Sequence, residues 1–104
     1  MYGTIARFQL KAGTEPDVLI KQLREDVSRT PGIVGVYIYK MDVSPNEYYM
    51  SVVFESKEKY WANAQSPEQD ARYRKLAAYF ASEPEWHDGE ITYVRKEPKL
   101  YTAM

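Results

Sequence analysis

The residues able to do chemistry in this 104-residue chain are few: one histidine (His87), no cysteine, ten tyrosines and two tryptophans. Without cysteine there is no thiolate nucleophile, disulfide framework or thiolate metal site. A lone histidine excludes a multi-histidine metal cage and argues against a Ser-His-Asp triad. His87 has Asp88 and Glu90 beside it, so a general base or a weak metal site is one reading. The spacing fits no metal motif, and an exposed residue in a turn before Gly89 is the plainer alternative. Chemistry is left to aromatic rings, hydroxyls and carboxylates, or to the reactivity of a ligand. No catalytic base stands out. With no glycine-rich phosphate loop and no histidine pair, no flavin, haem or transition metal is expected.

Tyr37 and Tyr39 lie two apart, on one face of an expected strand. They either line a ligand pocket or pack in a subunit interface, where tyrosine is common. Tyr48, Met50 and Phe54 pose the same choice. Tyr60, Trp61 and Tyr73 surround an expected helix break at Ser66-Pro67, as the mouth of a pocket or as core. Asn63 could orient a ligand carbonyl or bond backbone at a helix end. Arg7 could reach a sheet edge, hold an anionic ligand or, most simply, pair with a carboxylate.

The elements that position these residues follow from alternation and punctuation. Residues 2–10 alternate as a strand, with Tyr2, Thr4, Ala6, Phe8 and Leu10 on one side. Thr14 is a cap before Pro16, and Leu19, Leu23 and Val27 form an apolar stripe on a helix over roughly 15–29. Thr30-Pro31-Gly32 ends it. Strands at 33–42 and 47–55 join through Ser44-Pro45-Asn46 as an antiparallel hairpin. A short helix follows at roughly 57–64. Ser66-Pro67-Glu68-Gln69 is a capping box opening a second helical segment that carries Tyr73, Leu76 and Phe80 to about residue 82. Ile91–Arg95 is the expected last strand and 96–104 a tail without strong pattern, giving one domain over 1–104.

The order β-α-β-β-α-β is that of a ferredoxin-like α+β fold with an antiparallel sheet and both helices on one face. The other face is expected to carry Phe8, Tyr37 and Tyr39. An exposed aromatic sheet marks an interface or a ligand site, so a homodimer with its sheets facing across a lumen is expected. The net charge of −1 offers no basic footprint for nucleic acid. No apolar run approaches the ~20 residues of a membrane span, and Met1–Arg7 lacks the pattern of a signal peptide, so a cytoplasmic location is expected.

The chain resembles the antibiotic-biosynthesis-monooxygenase domain, a dimeric α/β barrel. The stretches that carry the resemblance are Ile5-Ala6-Arg7-Phe8 with Lys11–Glu15, Thr30–Gly35, Val53–Glu58, Ser66–Gln69 and Glu85–Ile91. They span about residues 2–95 and specify fold more than chemistry. The resemblance implies a range of activities, from quinone-forming oxygenases to haem degraders, isomerases and lyases. The asparagine, tryptophan and histidine of the haem-degrading branch fall on Ala6, Asn63 and Tyr73, and none matches. The quinone-forming oxygenases use neither metal nor flavin; their substrate is a phenol or enol whose anion meets dioxygen directly. Phe54 stands where that family often has tryptophan. The resemblance therefore points to a cofactor-independent monooxygenase acting on an aromatic or enolic small molecule in the lumen of a homodimeric α/β barrel, with Tyr37, Tyr39, Trp61, Asn63 and Tyr73 as substrate-binding candidates. A non-catalytic homodimer that binds a small apolar molecule or is purely structural, and an isomerase or lyase using His87, are the alternatives.

Overall fold

The computed structural model describes residues 1–95; the tail at 96–104 lies outside the described residues. The elements are β1 (Tyr2–Gln9), α1 (Pro16–Ser28), β2 (Ile33–Lys40), β3 (Glu47–Phe54), α2 (Lys57–Ala64), α3 (Pro67–Ala77) and β4 (Glu85–Glu90). The sheet runs β2-β3-β1-β4 with every neighbouring pair antiparallel. This is the ferredoxin-like α+β arrangement, its second helical region divided in two. Among the described residues, no helix is long and apolar enough to cross a membrane.

Alternation along the strands gives the sheet two chemically different faces. Ala6, Phe8, Leu10, Tyr48 and Met50 point to the helices and are buried with Leu19 and Leu23 of α1 and Leu76 of α3. Phe8 sits at the centre, stacked on Tyr48 (centroids 5.6 Å apart) and tilted against Phe80 (4.9 Å). Phe8 is therefore core, not part of the open face. Tyr48, Met50 and Phe54 are likewise on the helix side. The open face carries Ile5, Arg7, Tyr37, Tyr39, Tyr49, Ser51 and Val53, with Tyr39 opposite Tyr49 and Tyr49 opposite Arg7. Gly3 allows β1 and β3 to approach: a Cβ there would stand 2.6 Å from the Val52 carbonyl oxygen.

Three boundaries differ from expectation, each for a local reason. The N-cap of α1 is Glu15, not Thr14, and its side chain makes no capping bond. Pro16 takes the first helical position and holds Glu15 extended (φ −76°, ψ 128°), which moves the boundary next to the proline. Helix α3 stops at Ala77 because the chain beyond it is claimed by β1. Lys11 N–H donates to Tyr79 O (2.9 Å) and Ala81 N–H to Gln9 O (2.8 Å).

That anchorage also decides the last strand. Leu10 is bridged to Phe80 and Arg7 pairs with Glu85, so the later segment is longer than the stretch of β1 it follows and bulges around Pro84, which has no N–H to give. Pairing then continues through Ala6↔Trp86 and Ile5↔His87 to Tyr2↔Glu90. By Ile91, whose N–H reaches Met1 O (3.0 Å), β1 is used up. The strand is therefore Glu85–Glu90, despite the better strand formers at Ile91–Arg95, and Gly89 lies within it instead of in a turn. All six of its residues are exposed, which suits a charged edge strand.

The central place of Phe8 gives a stability prediction. Phe8→Ala should lose about 3–5 kcal/mol in a denaturant melt, as a core truncation does. A loss under about 1 kcal/mol would place the ring outside the core.

Candidate functional site

Between sheet and helices lies a cavity of about 330 Å³. Its floor is apolar, built from Val36, Met50, Val52 and Phe54 of the sheet with Leu23, Val27 and Leu76 of the helices. Tyr73, Trp86 and Tyr60 add aromatic walls, and the Tyr73 and Trp86 rings lie 6.0 Å apart. An apolar pocket with a few converging polar groups is the usual form of a small-molecule site.

The polar end is made where α2 gives way to α3. Ser66 caps α3 by accepting the Gln69 N–H at 3.1 Å, as the capping box predicts. The reciprocal half of the box is not used, because Ser66 N–H donates to Asn63 O (3.0 Å). The Gln69 side chain is thus released to join a cluster. Asn63 Nδ2 donates to Gln69 Oε1 (3.2 Å), and Arg72 Nη2 donates to Asn63 Oδ1 (3.0 Å) and Gln69 Oε1 (3.3 Å). The guanidinium is held by neutral amides, and these bonds do not use Nη1. Among the described residues no carboxylate lies within 4.0 Å of it.

Two acids also border the cavity. Asp70 is engaged by Arg74 at 2.8 Å. Asp26 accepts from Gln22 through Oδ1 (3.0 Å), while its Oδ2 is buried with no hydrogen-bond partner among the described residues. An orphaned buried acceptor costs roughly 1–3 kcal/mol, so it calls for an explanation.

Tyr60 and Tyr73 are held neutral. The Tyr60 hydroxyl donates to Asp88 Oδ1 at 2.8 Å. Burial, followed by the bond to Asp88 and its negative charge, pushes the Tyr60 phenol up to about 12. Burial, and secondarily the charge of Glu83, raises the Tyr73 phenol. Near neutral pH both are hydrogen-bond donors, not bases.

The five sequence candidates divide. Asn63 and Tyr73 line the cavity. Trp61 does not; 41% exposed, it packs its ring edge-on to Tyr60 at 5.3 Å. Tyr37 and Tyr39, each 55% exposed, stand on the open face of the sheet, away from the cavity. His87 lies in β4 between Trp86 and Asp88, which face the cavity side, so its ring is on the open face with Glu85. It is in a strand, not a turn. Arg7 is ion-paired at 2.8 Å with both Glu47 and Glu85. Hydrogen bonding by Arg7, then its charge, lowers the Glu85 carboxyl.

Asp26, Gln69, Arg72 and Trp86 were not singled out by sequence. Asp26 had a signal: it follows Leu19 by seven and Leu23 by three, a core-facing position where a carboxylate is out of place. Gln69 and Arg72 share the helix face of Leu76. Trp86 was hidden by the misplaced strand.

No protein-family model matches this sequence, and no curated protein matches it. Solved structures do. A candidate antibiotic biosynthesis monooxygenase from Chloroflexus aurantiacus J-10-fl is 22% identical, with 91% of this chain and 96% of that one covered and a TM-score of 0.73. A second from Bordetella bronchiseptica is 21% identical, covering 88% and 97% at a TM-score of 0.73. SnoaB, a cofactor-independent oxygenase from Streptomyces nogalater, is 17% identical, covering 94% and 97% at 0.66. The chain thus has the ferredoxin-like fold of the antibiotic-biosynthesis-monooxygenase structures, as the sequence resemblance implied; identities this low carry the fold alone.

Tyr60 can be followed directly. In an ultraviolet titration one tyrosine should ionise late, near pH 12, and Asp88→Asn should bring it down. Because its folded pKa is raised above the ordinary 10.0, its stabilising contribution is complete below pH 10 and is lost as pH rises through about 12. An Asp88→Asn protein with an unchanged titration would separate Tyr60 from Asp88.

Proposed function

We propose that this protein is a cofactor-independent monooxygenase acting on a planar phenol or enol bound between sheet and helices of one protomer. The observation that carries it is the cavity with apolar and aromatic walls and the Asn63–Gln69–Arg72 cluster at its polar end. The walls suit a flat apolar ring. Arg72, with Nη1 to spare, stabilises a substrate oxyanion and so favours the ionised form. Asp26 is the proton acceptor in this proposal: its buried Oδ2 has no hydrogen-bond partner among the described residues, whereas Asp70 is ion-paired with Arg74. The anion gives electrons to dioxygen, a carbon–oxygen bond forms, and the oxygen–oxygen bond breaks. One oxygen atom stays in the quinone and the other leaves as water with the two hydrogens lost by the phenol. Neither metal nor flavin enters this balance. The name of SnoaB as a cofactor-independent oxygenase supports this choice among the chemistries the fold hosts. An isomerase or lyase working through His87 is disfavoured, since that ring is on the other side of the sheet.

The protein is proposed to act as a homodimer. On the open face Tyr37 and Tyr39 are 55% exposed and Ile5 51%. Side chains of this kind represent a substantial apolar area, and a second copy of the same face would cover it. Tyr37 and Tyr39 then belong to subunit packing, and the ligand contacts to Asn63, Tyr73, Arg72 and Trp86.

The activity is tested by oxygen uptake with polycyclic phenols and naphthols in metal-free, flavin-free buffer. Wild type should consume dioxygen and release quinone in equal amounts. Asp26→Asn should lower kcat by about 10²-fold or more, the usual contribution of a general base. Tyr73→Phe should weaken binding by about 0.5–1.5 kcal/mol. Folded wild type that neither binds nor oxidises any of these compounds would remove the proposal.

Assembly is tested separately by sedimentation. Wild type should run at twice the monomer mass. Tyr39→Asp should run as a monomer or lose its cooperative fold, because the interface would bury an unpaired carboxylate.

A further inference from the structure

A second cleft, of about 440 Å³, lies against the polar cluster. The end of α1 gives it Arg29 and Pro31, α2 gives Lys59, and the start of α3 gives Ser66 and Glu68. Asn63 and Arg72 line both this cleft and the first cavity.

The charge of this cleft is not balanced from within: three basic side chains line it against one acid, Glu68. Lys59 is held in place twice over. Its stem packs on Gly32, where a Cβ would stand 2.9 Å from the lysine Cβ and Cδ, and its ammonium meets Glu55 at 2.8 Å. Arg29 and Arg72 have no carboxylate within 4.0 Å among the described residues. Arg72 is fixed to Asn63 and Gln69 through Nε and Nη2, which leaves Nη1 as its free end. Arg29 follows α1 directly, so the two guanidinium groups reach the cleft from different elements. Two uncompensated charges call for a dianion. A phosphate monoester carries a charge of about −1.5 to −2 near neutral pH and three acceptor oxygens, enough for one guanidinium on each of two oxygens. A carboxylate brings a single charge on two coplanar oxygens.

We infer that the second cleft binds a phosphoryl group, as free phosphate or a small phosphate monoester, between Arg29 and Nη1 of Arg72. This site stands without the reading of the first cavity as a ring site. One consequence does rest on that reading, in which Arg72 is the guanidinium offered to the substrate oxyanion. The free nitrogen of Arg72 serves one anion at a time, and two anions placed around a single guanidinium repel each other. Phosphate in the cleft therefore opposes an oxyanion in the cavity, and a phosphate-bearing ligand acts as an inhibitor.

Inorganic phosphate and glycerol phosphate are titrated by calorimetry at constant ionic strength, with acetate as the singly charged control and thermal melts to verify folding. Wild type should bind both phosphates, and acetate about tenfold or more weakly by comparison. Arg29→Gln, a change at an exposed site, should weaken phosphate about tenfold or more. Arg29→Lys should recover part of the loss, and Glu68→Gln should tighten binding. No phosphate binding by folded wild type, acetate bound as tightly as phosphate, or phosphate binding that survives both Arg29→Gln and Arg72→Gln would each overturn the site. Glycerol phosphate bound at least as tightly as phosphate assigns the site to monoesters; phosphate bound alone assigns it to the free ion. The antagonism is read with dinitronaphthol, a planar phenolate at neutral pH, by quenching of tryptophan emission. Saturating phosphate should weaken its binding about fivefold or more in wild type, and not in Arg29→Gln at the same phosphate concentration. Unchanged dinitronaphthol affinity would overturn the antagonism and leave the phosphate site standing. If folded wild type binds phosphate but no dinitronaphthol, the ring site falls and the antagonism with it, while calorimetry alone decides the phosphate site.

Discussion

The Ser66 hydroxyl joins two helices that would otherwise run as one. It donates to the Asn63 carbonyl at 2.8 Å and accepts the Gln69 N–H at 3.1 Å, so one oxygen closes α2 and opens α3. Pro67 enforces the break, since it cannot donate to a preceding turn. An unbroken helix would spread Asn63, Gln69 and Arg72 along its length. The break folds the chain back enough for the Asn63 amide to meet both other side chains. The polar end of the cavity and the release of Gln69 from its capping role both depend on this junction.

The sheet is divided as sharply as the helices are. One face is core and cavity, the other a broad surface of tyrosine and aliphatic side chains around the Arg7–Glu47–Glu85 cluster. The two faces share backbones but not side chains, so changes on one leave the chemistry of the other largely untouched. A chain of this length can therefore present an exposed aromatic surface and a cavity on opposite sides of four strands.

Where pattern is local, the sequence was legible. Alternation located β1, β2 and β3, and Pro16, Pro31, Ser66 and Pro67 marked helix ends within a residue or two. What was missed depends on distant partners. Glu85–Glu90 has no strand signature, and becomes a strand because Phe80 is already pinned to Leu10 and β1 has a free edge. The face of Phe8 was misjudged because alternation says which residues share a side, not which side the helices will cover. The cavity inherited that ambiguity: Tyr37 and Tyr39 were grouped with Asn63 and Tyr73, though a sheet stands between them. Gln69 reads only as the end of a capping box, and Arg72 carries no signal of its own, until the helix break brings Asn63 beside them.

Trp86 is a wall of the cavity, yet it hangs from an edge strand bonded on one side only, with every residue exposed. Strands of that kind open locally at a small fraction of the free energy of global unfolding. The enclosure is thus least secure at β4, next to a bulge at Pro84 that already lacks a hydrogen bond. Fraying of this short peripheral ladder would open the cavity beside this tryptophan while leaving the core of Phe8, Leu19 and Leu76 at rest.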